Sequence, residues 1–215
     1  MLKIALPQIQ EQVHIEDIQE YVSSLAEEEE IRNVHLENDE AEMKDFHKID
    51  FSGSIIEKCQ FLNCNFEKAS FMDVIFSKCD FSNSNFSDSY WNRCEFHDCK
   101  YLGSDFHQAI MKNLKILDCK MQYANFNGAY FEQVLMEQSD LTDAFFSEVK
   151  YKKWEAIETK FIGTNFFHTN LRKFDFSQCE LAEPIVSDTM GELRGIQITP
   201  VQALEIVKLL EIEVK

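Results

Sequence analysis

From residue 46 to residue 186 every fifth position of this chain holds an apolar or aromatic side chain: Phe46, Phe51, Ile56, Phe61, Phe66, Phe71, Phe76, Phe81, Phe86 and onward without a slip. Sixteen of the nineteen Phe fall on that grid. A period of five cannot keep one stripe on an α-helix of 3.6 residues per turn. Being odd, it also changes faces on a strand of period two. The chain must therefore turn a corner inside each repeat, and short-period repeats of this kind bury their apolar face only by stacking one coil on the next.

Around each grid residue, or centre, the neighbouring positions are also typed. Two before it the residues are small, as in Ser54, Cys59, Cys64, Ala69, Ser84, Ala109, Ala124 and Ala144, and all seven cysteines occupy that position. The residue just before the centre is often Asp or Asn, as in Asn65, Asp80, Asn85, Asp105, Asn125 and Asp140. These are side chains that bond nearby backbone in turns.

Segments such as NFEKASFMDVIFSKCDFSNSNFSDS and YANFNGAYFEQ resemble the pentapeptide-repeat family, whose pattern is a small residue, Asp or Asn, Leu or Phe, then two polar residues. The resemblance implies an all-β solenoid. Its form is a right-handed quadrilateral β-helix of pentapeptide repeats, four quintets per square coil, with an N-terminal cap and a C-terminal α-helix. Wrapped at twenty residues, one interior column reads Phe46, Phe66, Phe86, Phe106, Phe126, Phe146, Phe166, Val186, and another Cys59, Cys79, Cys99, Cys119, Ser139, Thr159, Cys179. At the spacing of neighbouring strands, about 4.8 Å, both columns are continuous.

The expected organisation is an acidic N-terminal capping segment over 1–44, a β-helix of about seven to eight coils over 45–198, and a helix with a short strand over 199–215 for dimerisation. The thiol column raises a metal or redox reading. Side chains in one column point the same way rather than at each other, however, and there is no clustered His or C-x-x-C spacing, so reduced cysteine used as a small hydrophobe accounts for it. No metal or cofactor is expected. Seven buried free thiols and no leader-like segment favour the cytoplasm. No run is long enough to cross a membrane, and six Gly and three Pro leave no glycine-rich phosphate loop.

The net charge of −17 is unevenly placed: residues 1–44 carry −9, including the run Glu27 to Glu30, and 189–215 carry −1. The remaining −7 on the coil sorts by side into −4, +4, −5 and −2. The most acidic side presents Glu57, Glu95, Asp98, Asp118, Glu137, Glu155, Glu158 and Asp175. The basic side gathers Lys150, Lys152, Lys153, Arg172 and Lys173. Such faces are ordinarily just solvated; the functional reading is that the acidic side meets a partner where phosphates would lie. Eight coils span about 38 Å, a length of B-DNA carrying roughly 22 charges. The rod would therefore imitate DNA by shape more than by charge density. The same balance argues against direct binding of nucleic acid.

At the C-terminus Thr199-Pro200-Val201-Gln202 has the form of a capping box and predicts a helix to about residue 210. Its apolar residues cover more than one face, and Ile212 and Val214 alternate as a strand would. A homodimer joined tail to tail through Val201, Leu204, Val207, Leu210, Ile212 and Val214 is the simplest way to cover the surplus. At the N-terminus Ile15, Ile18, Val22 and Leu25 have helical spacing, while Ile31 and Leu36 lie on the grid and could begin the first coil.

Within the family the segment NLRKFDFSQCELAEPIVSDTMGELRGIQITPVQALEIVKLL resembles the Qnr group. That similarity implies a rod-shaped dimer that binds DNA gyrase or topoisomerase IV and protects it from quinolones. Many members carry loop insertions, for which the unbroken grid leaves no room, so no loop residue can be carried over. Contact would then fall to the coil faces, the N-terminal segment or the outward column Tyr90, Ile110 and Tyr130, which also reads as ordinary cross-strand stacking. An enzyme with a small-molecule substrate competes poorly: the six His are scattered, and glycoside chemistry needs a cleft with paired carboxylates. A non-enzymatic adaptor for another protein is the standing alternative.

Overall fold

The computed structural model describes residues 2–24 and 30–212. Within them the chain winds into a four-sided β-solenoid of about eight coils. The strands are parallel, and each residue pairs with the one twenty positions on, as in Phe51 with Phe71, Glu95 with Lys115, Ile116 with Met136 and Phe161 with Leu181.

What bends the chain is a left-handed residue two places after each centre. Of the every-fifth positions from 33 to 183, all but 153 and 178 have φ between 49° and 71°, and only four of them are Gly. An L-residue is strained there by about 1–2 kcal/mol, so neighbouring coils must hold it in place. The corner amides donate to the next coil's carbonyls, as in Lys58 N to Ser77 O (2.8 Å) and Asp98 N to Leu117 O (3.0 Å). Many corners also close on themselves: Ala69 N donates to Phe66 O and Ala109 N to Phe106 O, both at 3.0 Å. The left-handed residue is then third of four, as a type II turn requires. At Gly103 a Cβ would lie 2.8 Å from Asn83 Oδ1, and the corner there is made without one.

The Asp and Asn before the centres do bond their own turns. Asn65, Asp80, Asn85, Asp105, Asn125 and Asp140 each accept from the backbone N–H two residues on, at 2.9 to 3.1 Å. Inside, the centres stack. Phe46, Phe66, Phe86, Phe106, Phe126 and Phe146 have successive centroids 4.8 to 5.1 Å apart and nearly parallel planes. The small residues do more than leave space. Ser84 Oγ donates to Phe61 O and Ser104 Oγ to Phe81 O at 2.7 Å, and Cys64 and Cys94 thiols reach Ala41 O and Phe71 O at 3.4 Å, each satisfying a carbonyl of the preceding coil. Burial pushes the Cys94 thiol up to about 12 and that of Cys179 to about 11, so both stay protonated near neutrality.

The pattern is exchanged at one coil. Ala156 occupies a centre and Trp154 the small position before it, with Phe174 in the same column one coil on. Trp154 lies 5.1 Å from Phe146 and 4.7 Å from Phe174, and the next step of the Phe stack, Phe146 to Phe166, opens to 5.8 Å. The corner beside it, Lys153, is one of the two not left-handed.

Both ends depart from the boundaries expected from sequence. Twenty-residue pairing already holds for Ile31 with Phe51, His35 with Ile55 and Ala41 with Phe61, so coil structure begins within the segment assigned to the cap, ahead of residue 45. Before it, helix α1 (Ile18–Ser24) closes the open end by burying Ile18 against Phe46, Phe51 and Phe61, and Ile18 N donates to Asp39 Oδ2 at 2.9 Å. Residues 2–12 do not lie over the first coil. They run lengthwise along one corner of the rod: Gln12 Nε2 donates to Gly53 O, Gln8 N to Asp73 Oδ1, Ala5 N to Asn113 Oδ1 and Leu2 N to Glu155 Oε2. Leu25 and Glu27 to Glu29 lie outside the described residues. At the other end Asn165 pairs with Ile185 but Asp175 with Gln197, a register two residues longer. The extra length carries Glu192, whose carboxylate accepts from His168 N and Ser187 Oγ, both at 2.8 Å.

Helix α2 (Pro200–Lys208) starts at the capping box anticipated from sequence, Thr199 accepting from Gln202 N and Gln202 Oε1 accepting from Thr199 N at 2.8 Å. Gln202 Nε2 in turn donates to Phe176 O and Cys179 O, tying the helix to the last coil. Ile212 is not in a strand, and Val214 lies outside the described residues.

The Phe stack should be the least replaceable part of the fold. Phe106→Ala, at a fully buried mid-column site, should lower unfolding free energy by about 3–5 kcal/mol in urea denaturation; a loss under 1 kcal/mol would show the column is not continuous.

Candidate functional site

The eight acidic residues singled out from sequence stand on one side of the coil, as their register requires, but they are not equivalent. Asp98, Asp118 and Glu158 sit at left-handed corners and are exposed, and Asp175 is exposed nearby. Asp98, Asp118 and Glu137 make no ion pair among the described residues. Three others are already engaged. Glu95 meets His97 Nε2 at 2.9 Å and Lys115 Nζ at 3.0 Å; the His97 hydrogen bond, with Lys115 adding, holds its carboxyl below the usual carboxylate range despite burial. Glu57 faces Lys58 at 3.3 Å, and Lys58 also reaches Glu37 at 2.8 Å. Glu155 accepts the N-terminal strap through Leu2 N at 3.1 Å. What the side offers to a partner is therefore the corner carboxylates Asp98, Asp118 and Glu158, with Asp175 beside them.

That side is bordered by the strap. Its midpoint rests on a built clamp: Arg93 Nε and Nη2 each donate to Asp73 at 2.6 Å, and Asp73 Oδ1 accepts Gln8 N at 3.0 Å. The paired guanidinium fixes the carboxylate that receives the strap. Across the corner lies the basic side, where Lys150, Lys152, Arg172 and Lys173 line an open groove of about 710 Å³ with His168 and a single carboxylate, Glu148.

Tyr90, Ile110 and Tyr130 do share a column. Ile110 is exposed while the two tyrosines are half-buried, and Lys112 Nζ lies 5.9 Å over the Tyr90 ring. On α2, Gln202 is buried and Ile206 packs against the core, while Val201 and Leu204 are exposed, as are Leu210 and Ile212 beyond the helix. Three Phe lie off the five-residue grid, a signal present in the sequence: Phe174 is buried, but Phe145 and Phe167 face outward.

The thiols of the cysteine column are all free. Among the described residues no group of three or more His, Cys, Asp or Glu is placed to hold a metal ion, and no helix is long and apolar enough to cross a membrane.

Protonating Glu95 removes an interaction present only in the folded state. Because its folded pKa is depressed, that contribution is full above the unfolded value near 4.3 and is lost as pH falls below it. Glu95→Gln should cost on the order of 1 kcal/mol at pH 7 and progressively less as pH falls through the depressed folded value, as read from paired urea titrations; a cost independent of pH would mean packing rather than charge.

Two family models match the sequence: pentapeptide repeats, eight copies, over residues 45–88, and a pentapeptide repeat region over residues 69–146. No curated protein matches it. Among solved structures, a trypsin-treated variant of QnrB1, described as a plasmid-mediated fluoroquinolone resistance protein, is 23% identical. It covers 96% of this chain and 100% of its own, with a TM-score of 0.59. Full-length QnrB1, also 23% identical, covers 95% and 99% with a TM-score of 0.55. At this identity the likeness speaks for fold. Residues 45–146 thus carry pentapeptide repeats recognised by the two models, a twenty-residue register extends the same coil toward both ends, and the coil fold is shared with QnrB1 along nearly the whole chain.

Proposed function

We propose that this protein is a non-enzymatic rod that binds a type II topoisomerase, DNA gyrase or topoisomerase IV, and protects it from quinolones by occupying surface that DNA would take. The observation that carries the reading is the uninterrupted square coil, about eight turns long, with exposed corner carboxylates along one side. Its fold is that of a protein described as conferring fluoroquinolone resistance. Contact is made through the rod's girth and through Asp98, Asp118, Glu137, Glu158 and Asp175; Glu57, Glu95 and Glu155 keep the face in shape. The site is cytoplasmic, where the reduced thiol column is stable.

The rod works as a homodimer joined through α2. Exposed Val201, Leu204, Leu210 and Ile212 form an apolar face at the open end, which a two-fold copy of itself would cover. A pentapeptide-repeat adaptor for some other protein is the second reading, favoured by the basic groove, which has no counterpart on a duplex.

Adding the protein to a supercoiling reaction of purified gyrase with ciprofloxacin should restore supercoiling, and reversing Asp98, Asp118, Glu158 and Asp175 to Lys should weaken rescue by about tenfold or more. No rescue together with no gyrase binding would leave the adaptor.

Light scattering at micromolar concentration should give a dimer mass, and Leu204→Asp a monomer with an unchanged melting temperature. A monomeric wild type would remove the dimer.

A further inference from the structure

Phe145 stands where its column otherwise holds Asp45, Asn65, Asn85, Asp105, Asn125 and Asn165. In those coils the side-chain oxygen accepts the N–H two residues on, for instance His107 N on Asp105 and Phe167 N on Asn165, both at 2.9 Å. A phenyl ring cannot do so. Ser147 N turns instead to Asn127 Oδ1 of the preceding coil at 2.8 Å, and the Phe145 ring is left 40% exposed. Phe167, in the turn two residues past Asn165 on the adjoining coil, is also 40% exposed and stacks on His168 at 4.0 Å. Ile185 continues the Phe145 column, 51% exposed. Nothing in the core uses these rings, and the column loses a turn bond to present one.

His168 joins this apolar strip to the basic groove, since it lines both. In that groove Lys152 is paired with Glu132 at 2.7 Å, while Lys150, Arg172 and Lys173 have no ion-pair partner among the described residues. The groove opens where the coil is irregular, beside Trp154 and the corner at Lys153. Unpaired cations next to outward aromatic rings, on a chain of net charge −17, are complementary to anionic groups carried beside apolar ones. Aromatic rings with cations also suit single-stranded nucleic acid, but the rod's remaining faces are acidic and would repel a phosphate chain running past the groove.

We infer that the strip of Phe145, Phe167 and Ile185 with the groove of Lys150, Arg172 and Lys173 is a docking surface for an acidic protein segment bearing apolar side chains. It lies on other sides of the coil than the carboxylate row and does not depend on the topoisomerase reading.

The column itself supplies fold-neutral variants: Phe145→Asn restores the turn-bonding residue, and Phe167→Ser the residue type of neighbouring coils. Fluorescence anisotropy with the full-length protein would use a fluorescein-labelled peptide alternating Glu with Leu and Trp, and oligothymidylate as competitor. The peptide should bind saturably, and both F145N/F167S and K150E/R172E should weaken it by about tenfold or more, with F145N/F167S melting no lower than wild type. The inference is overturned by no saturable binding to wild type, by equal binding to the variants, or by a lower melting point for F145N/F167S, which would make the rings structural. Tighter binding of oligothymidylate, lost in the same variants, would assign the surface to nucleic acid and overturn it as well.

Discussion

Each coil is held by the one beside it. The left-handed corner is unfavourable for residues other than Gly, which fill all but four of these corners, and a single quintet has no means of enforcing it. Stacking at strand spacing supplies that means twice over. Corner amides find carbonyls in the adjoining coil, and the rings inside fall into a continuous pile near 5 Å apart. Stability is therefore a property of neighbours, and the two ends need special structure. Helix α1 covers one open face and α2 the other, each tied in by a polar bond, Ile18 N to Asp39 and Gln202 to two carbonyls of the last turns.

The same tight stacking makes departures from the pattern informative. Exchanging Trp154 and Ala156 between large and small positions keeps volume inside the coil, yet it spreads the Phe pile and relaxes a corner, and the outer surface opens into a groove at that level. At Phe145 the departure is on the outside, where a ring replaces a turn-bonding Asn at the cost of a local hydrogen bond. A close-packed solenoid transmits a substitution only to adjacent coils, so such features are local and independent.

Charge on the rod is likewise less than its sum suggests. A side of −5 contains carboxylates neutralised by Lys115 and Lys58 or committed to the strap, so the free charge comes from the corner residues Asp98, Asp118 and Glu158 with Glu137 and Asp175. The strap adds a second constraint, since residues 2–12 occupy the edge between the acidic and basic sides and are pinned by the Asp73–Arg93 clamp. The two sides are thus presented as separate surfaces.

The five-residue period by itself determined that the chain coils and which side chains face inward, because no helix or flat strand can bury every fifth side chain; the twenty-residue register followed from the family resemblance and is what the strand pairing shows. The capping box determined where α2 begins, because Thr199 and Gln202 satisfy each other over three residues. Local pattern carried no information about what lies between distant residues. That residues 2–12 run up the rod to reach Glu155, that coil pairing starts at Ile31, and that Glu95 is spoken for while Asp98 is free were decided only by the tertiary structure. They depend on which side chains the winding brings within hydrogen-bonding reach. The three exceptions to the grid, outward Phe145 and Phe167 and inward Phe174, were placed by their position in the quintet; that Ser147 N turns to Asn127 and leaves Phe145 exposed was decided only by the structure, because a phenyl ring cannot accept the turn N–H.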